Sequence, residues 1–281
     1  MIQQQAFAGM KEYLQNLHTH TTYCDGKNTP EEIICSALQK GFHSIGFSGH
    51  SNTTYCLDYC MSFEGTEAYK KEITELKEKY QKNIAVFLGL EVDMYSEVDL
   101  SGYDYLIGTT HYLPIEGGLV GFDRSALEVE HMIQTYFKGD GMAYAKEYYR
   151  NLAKLPEYGV FDIIGHFDII TKHSESRKFF DEDSKEYRYA AIEAAEALSG
   201  KIPFFEVNTG AISRGYRTTP YPSVFLLKEL KRLGFGAVIS SDCHNAAQLD
   251  RGFKEAAALL KMCGFKEQFV LTDKGFVPTN I

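Results

Sequence analysis

The chain has 281 residues, 44% hydrophobic and 24% charged, a globular mixture that excludes a wholly disordered or fibrous protein. Its formal net charge of −9 argues against a broad grip on nucleic acid, which needs clustered Lys and Arg. A site that handles phosphate in so acidic a chain needs local cations, and a bound metal is usually the largest charge in its site.

The opening stretch, MIQQQAFAGMKEYLQN, has no basic segment followed by an apolar one, and no apolar run is long enough to cross a bilayer. The expectation is a cytoplasmic protein without membrane contact. Six cysteines (Cys24, Cys35, Cys56, Cys60, Cys243 and Cys263) are too sparse for a disulfide framework. Cys56 and Cys60 have no second pair to complete a zinc knuckle, so all six read as reduced thiols.

In chain order, strands are predicted at 13–18, 44–48, 85–91, 105–111, 162–166, 204–208 and 237–241. They are short, nearly continuous apolar runs, as in strands buried on both faces of a parallel sheet. The first helix is predicted from Thr29, a candidate N-cap, with Pro30 at the first helical position and Glu32 closing a capping box. Further helical stretches fall at 66–81, 125–137, 143–155, 184–198, 223–233 and 246–262. This alternation indicates an α/β barrel related to the eight-stranded kind, or an open doubly wound sheet. Gly117-Gly118 and 139–141 read as turns, and no repeat or linker interrupts the chain, so residues 1–281 are expected to form one domain.

The chemistry-bearing residues fall on one rim of this pattern. His18, His20, His50, Glu91, His111, His166, Asp242 and His244 all lie at or just past the carboxyl ends of predicted strands, where α/β folds build their sites. Six of the nine histidines do so; His43, His131 and His173 do not. Residues i and i+2 of an extended segment point the same way, so His18 with His20, and Asp242 with His244, can each present two ligands to one place. Imidazoles with carboxylates, Asp25 included, suit zinc, iron or manganese better than calcium or magnesium. The set exceeds what one tetrahedral ion needs, which points to two or three ions.

The blocks NLHTHTTYCDG, GFSGHS, GLEVD, GTTHY, GHFD and SSDCH resemble the PHP (polymerase and histidinol phosphatase) family, in the family's order from His18 to Asn245. The stretch EVNTGAISRGYRTTPYPS brings the likeness nearest to stand-alone histidinol-phosphate phosphatases. The resemblance implies a distorted, TIM-like (β/α)7 barrel holding two or three divalent ions. It implies that His18, His20 and Asp242 hold one ion, which Glu91 bridges to a second completed by His111 and His166. Asp25, His50 and His244 would hold the third. Some histidinol phosphatases carry a histidine where Asp25 stands, and many family members carry an acidic residue at the position of Gly49.

The implied activity is hydrolysis of L-histidinol phosphate to L-histidinol and phosphate, a step of histidine biosynthesis, by a metal-bridging hydroxide attacking phosphorus. Arg214, with Arg217 as a second candidate and Arg177 as a third, is expected on the phosphoryl oxygens. Asp242 or His244 is expected to move the proton that the leaving alkoxide needs. Asp123 is a candidate partner for the substrate ammonium, and Asp93 a candidate support for a ligand. The competing readings are a PHP phosphoesterase for another small metabolite or nucleotide, an amidohydrolase-type amide or lactone hydrolase, and a non-catalytic metal-binding scaffold. Oligomeric state is not legible.

Overall fold

Local sequence signals set most element boundaries in the computed structural model, which describes residues 13–55 and 58–281. Cys56 and the first 12 residues, including the start of the segment read for a leader, lie outside the described residues. The strands are β1 Gln15–Asn16, β2 Ser44–Phe47, β3 Ala85–Asp93, β4 Tyr105–Thr109, β5 Tyr112–Ile115, β6 Gly118–Gly121, β7 Ile163–Ile164, β8 Phe204–Asn208, β9 Gly236–Ser240, β10 Glu267–Thr272 and β11 Gly275–Asn280. The helices are α1 Pro30–Gln39, α2 Phe63–Tyr80, α3 Ala126–Phe137, α4 Gly141–Leu152, α5 Lys185–Leu198, α6 Gly210–Ser213, α7 Val224–Arg232 and α8 Phe253–Met262. Thr29 caps α1 as expected: its hydroxyl accepts the Glu32 N–H at 3.3 Å, and the Glu32 carboxylate accepts the Thr29 N–H at 2.9 Å. Such a cap is worth about 1 kcal/mol.

Seven strands form one parallel sheet in the order β1-β2-β3-β4-β7-β8-β9. The sheet turns back on itself, because Thr19 beyond β1 bridges Cys243 beyond β9. His20 N–H donates to the Cys243 carbonyl at 2.8 Å, and Cys243 N–H to the His18 carbonyl at 3.0 Å. The result is a nearly closed seven-stranded α/β barrel. Of the two architectures compatible with the pattern of elements, the open sheet is therefore excluded.

Strand periodicity then divides each strand between two cores. Val86, Leu88 and Leu90 of β3, with Phe205 and Val207 of β8, face outward into the layer shared with the helices. Phe87, Tyr105, Ile107, Ile163 and Val238 face inward with Leu17 and Leu271. Tyr105 crosses the barrel, its hydroxyl reaching the Leu17 and Phe47 carbonyls. Only glycine leaves it room: a Cβ on Gly46 or Gly89 would lie 2.4 or 2.2 Å from the Tyr105 side chain. Below this plug, the β10–β11 hairpin closes the lower end, with the Gln15 side chain clasping the Leu271 N–H at 2.7 Å and carbonyl at 2.8 Å. The apolar floor leaves the opposite rim for polar groups.

Three departures from the sequence expectation have local causes. The predicted strand 13–18 shrinks to Gln15–Asn16, because the His18 N–H turns to the Asn16 side chain at 3.2 Å instead of extending the ladder. The predicted helix 246–262 breaks at Gly252, whose φ of 81° is left-handed, leaving a short turn at Ala246–Gln248 before α8. The antiparallel hairpins β5–β6 and β10–β11 were not anticipated. In the first, Glu116 (φ 51°) and Gly117 (φ 78°) make the two-residue turn with both φ positive that matches strand twist. Among the described residues, no helix is long and apolar enough to cross a membrane.

Candidate metal centre

The barrel brings the nine residues of the rim set, Asp25 included, into one cluster. Glu91 is its hub, because β3 runs long enough to carry an inward carboxylate to the rim, in phase with Phe87 two pleats below. Its Oε1 lies 3.1 Å from His166 Nε2 and 3.5 Å from His111 Nε2. Its Oε2 lies 3.3 Å from His18 Nε2, 3.6 Å from His20 Nε2 and 2.7 Å from His50 Nδ1. Asp242 joins from beyond β9, with Oδ1 3.2 Å from His20 Nε2 and 3.8 Å from His18 Nε2. Its backbone is left-handed (φ 49°), a conformation Asp tolerates better than most residues.

Three groups of side chains have ligand atoms close enough to share an ion: His18, His20 and Glu91; Glu91, His111 and His166; and His20, Asp25, His50 and His244. In the third, Asp25 lies 3.7 Å from His20 Nδ1, 3.7 Å from His50 Nε2 and 3.2 Å from His244 Nε2. The first two groups are buried, whereas the third opens at the mouth. Both Glu91 and His20 are shared between groups, and only the sharing by Glu91 is anticipated from sequence.

The electrostatics follow from packing opposite charges without water. Burial works against protonation of His18, but the carboxylates of Glu206, Glu91 and Asp242 raise its pKa well above the usual 6.5. His20 goes the opposite way, to about 3, because burial and the neighbouring His244 and His50 all disfavour a positive ring. Burial opposes ionisation of Glu91, yet His50 and His18 hold it well below the usual carboxylate range. Asp242 is likewise held ionised against burial by Arg214 and His18.

A divalent cation fits this donor set. His18 Nε2, His20 Nε2 and Glu91 Oε2 are buried and, despite the short distances to their neighbours, none is aligned for a hydrogen bond with the described residues. His111 Nε2 and His166 Nε2 face each other at 3.3 Å, beside a carboxylate oxygen. A buried polar atom left unpaired costs about 1–3 kcal/mol, and several converging on one point are the signature of a ligand that satisfies them together. The mixture of imidazole and carboxylate matches zinc, iron or manganese.

The other candidates separate. Arg214 reaches the centre: Nη2 lies 2.8 Å from Asp242 Oδ2, and Nη1 lies 3.2 Å from the Asp242 carbonyl and 3.1 Å from His244 Nδ1. Arg217 does not. It is buried and spends Nη1 on the Thr171 carbonyl at 2.7 Å, the Thr171 hydroxyl at 2.5 Å and Ser174 at 3.2 Å, so it ties down a loop and does not line the cavity. Arg177 is also elsewhere, paired with Glu130 at 3.0 Å. Asp123 lines the cavity but is paired with Lys172 at 2.5 Å. Asp93 accepts the His111 N–H at 2.8 Å and the Tyr55 hydroxyl at 2.6 Å, which steadies His111. The remaining histidines have structural surroundings: His43 Nδ1 accepts the Leu14 N–H, His131 is exposed on α3, and His173 Nε2–H donates to the Arg124 carbonyl at 2.7 Å.

Sequence reasoning missed Glu206, which lies under the centre and accepts from His18 Nδ1 at 2.9 Å. Its signal was a lone carboxylate inside the apolar run 204–208, in phase with the inward face. It also missed Tyr59, Arg124, Lys172 and Tyr216, which line the cavity of ≈ 230 Å³ above the centre. These come from loops whose sequence has no periodicity to read.

The PHP domain family profile matches residues 16–210. The histidinol-phosphatase of Bacillus subtilis is 26% identical over 270 residues, covering 88% of this chain and 98% of the relative. The probable histidinol-phosphatase of Deinococcus radiodurans is 26% identical over 261 residues, covering 88% and 92%. The histidinol phosphate phosphatase of Lactococcus lactis subsp. lactis, solved with zinc, L-histidinol and phosphate, has the same fold, with a TM-score of 0.68 at 20% identity over 94% of this chain and 98% of that one. With a seven-stranded barrel, and with the family profile covering most of its 281 residues, this chain belongs to the PHP domain family.

Proposed function

We propose that this protein is a metal-dependent phosphomonoesterase that hydrolyses L-histidinol phosphate to L-histidinol and phosphate, in histidine biosynthesis. One observation carries the proposal most directly: each oxygen of buried Glu91 faces a different set of histidines on the rim of the barrel. The near full-length likeness to histidinol-phosphatases supports the substrate. We further propose that residues 1–281 act as one domain, in the cytoplasm, on a small metabolite and not on nucleic acid.

In this reading His18, His20 and Asp242 hold one ion, Glu91, His111 and His166 a second, and Asp25, His50 and His244 a third. The two sharing residues, Glu91 and His20, tie the three places together. When bound, divalent ions supply Lewis acidity at a phosphoryl oxygen and make water a stronger acid. The protein's own groups do the rest. Arg214 has five N–H donors and spends three on Asp242 and His244, leaving two for phosphoryl oxygens. Lys172, 4.7 Å from the Tyr216 ring centre, adds positive charge at the cavity wall. Asp242, held as a carboxylate, takes the proton from the attacking water and returns it to the leaving alkoxide. His244, whose Nδ1 accepts from Arg214, has a proton to give only when its Nε2 is not bound to metal.

The test is a panel of phosphomonoesters that includes L-histidinol phosphate and a generic aryl phosphate, assayed on metal-stripped protein with and without added manganese or zinc. Turnover should depend on metal and favour L-histidinol phosphate. Full activity after stripping would refute the metal centre, and indifference to the histidinol moiety would refute the substrate.

A further inference from the structure

Glu206 lies in the middle of β8, fully buried beneath the histidines. Its two oxygens meet four donors. Oε2 accepts from His18 Nδ1 at 2.9 Å and from the Ser240 hydroxyl. Oε1 accepts the His166 backbone N–H at 2.6 Å and the Asn208 side-chain amide at 2.7 Å. An ionised carboxylate only accepts, so the ring nitrogen facing it carries the proton, and in a neutral His18 that leaves Nε2 bare. This Nε2 points at Glu91 Oε2 (3.3 Å) and has no hydrogen-bond partner among the described residues. The other end of the same carboxylate seats the His166 backbone, and His166 Nε2 is 3.1 Å from Glu91 Oε1.

We propose that Glu206 is a positioning residue that fixes the His18 tautomer and seats His166, so that a divalent metal meets a bare imidazole nitrogen on either side of Glu91. The inference rests on the metal-centre reading above. It adds that a group outside the ligand set governs two of the proposed ion positions at once, because it spans β8, the end of β7 and the segment after β1.

Glutamine at this position cannot meet four donors. If the carboxamide oxygen of Glu206→Gln stays with His166 and Asn208, its NH2 faces His18 Nδ1. That nitrogen must then accept, and the ring proton moves to Nε2, the nitrogen offered to metal. If the amide turns round, its NH2 opposes the His166 N–H and the Asn208 NH2, and the His166 backbone is displaced. Either outcome disables one group and spares the mouth group of Asp25, His50 and His244.

Calorimetric titration of metal-free wild-type protein and Glu206→Gln with Mn2+, with circular dichroism as the control for folding, separates the possibilities. One metal equivalent should weaken by about 10–100-fold, the scale for partners that orient ligands, while another binds as in wild type. Metal affinities equal to wild type in a folded variant would overturn the inference. Wild-type protein that takes up no Mn2+ would overturn both the inference and the metal-centre reading. A variant that does not fold leaves a direct measurement on the zinc-loaded wild type: long-range 1H–15N correlation of its histidine rings should place the His18 proton on Nδ1. A proton on Nε2 would overturn the inference.

Discussion

Glu91→Gln removes one oxygen from the hub of the centre while keeping its shape. Oε2 of Glu91 is within 3.3 Å of His18, 3.6 Å of His20 and 2.7 Å of His50, and Oε1 is within 3.1 Å of His166 and 3.5 Å of His111. A carboxamide has one oxygen and one NH2, so whichever way it turns, one histidine group loses its anion and faces N–H instead. The affinity of one metal equivalent should therefore drop by at least the roughly 10–100-fold that loss of a supporting partner costs. A metal that binds only the folded chain stabilises it by RT ln(1 + [L]/Kd), so a hundredfold weaker Kd at fixed excess metal removes about 2.7 kcal/mol. At roughly 2–4 °C per kcal/mol for chains of this size, the metal-induced rise in Tm shrinks by about 5–10 °C. The assay is metal per chain by mass spectrometry, with thermal melts of each protein against its own metal-free state. That internal reference matters because glutamine also leaves His18 and His50 without their shared anion. Wild-type metal content together with a wild-type metal-induced rise in Tm would refute the hub role.

Four further outcomes are expected. Arg214→Ala should raise KM for the phosphate ester by roughly 10–100-fold, from about 1.5–3 kcal/mol per hydrogen bond to a charged group, with metal content intact. Arg217→Ala should leave KM alone and lower the urea midpoint by the equivalent of about 1–3 kcal/mol, and equal KM effects in the two variants would contradict their separate placements. Gly89→Ala sets a Cβ 2.2 Å from the Tyr105 ring and should cost about 1–3 kcal/mol or more in denaturant unfolding; an unchanged midpoint would mean that Tyr105 does not cross there. Metal affinity should weaken as pH falls. The metal needs a neutral imidazole, whereas Glu206, Glu91 and Asp242, outweighing burial, keep His18 protonated to a pH well above 6.5 in the metal-free fold. Proton competition is thus already present near neutrality and grows below it, so calorimetry with Mn2+ giving equal affinities at about pH 8 and about pH 6 would count against the His18 assignment.

Much of this was legible locally. The capping box at Thr29, the apolar runs of β2, β3, β4, β8 and β9, and the placing of His50, Glu91, His111, Asp242 and His244 at strand ends all rest on spacing within a few residues. Such spacing is a property of the chain itself. The His18/His20 and Asp242/His244 pairs are equally local, because an extended backbone repeats every two residues.

The tertiary structure decided which of these groups meet, and it did so through contacts that no window on the sequence spans. Closure between Thr19 and Cys243 made a barrel of what the pattern of elements left compatible with an open sheet. It also gave His20 to two groups by bringing His244 beside it, while the pairing of β2 with β3 set His50 against Glu91. Arg214 and Arg217, three residues apart in sequence, point to different places because only Arg214 finds the Asp242 carboxylate while Arg217 finds the Thr171 loop. Glu206 reads as one polar residue in an apolar strand until His18, 188 positions away, is brought to its oxygen. The sequence by itself determined which chemistry the chain carries, since ligand types and strand phase are local. Which nitrogen meets which oxygen depended on barrel closure, since it is set by contacts between segments far apart in the chain.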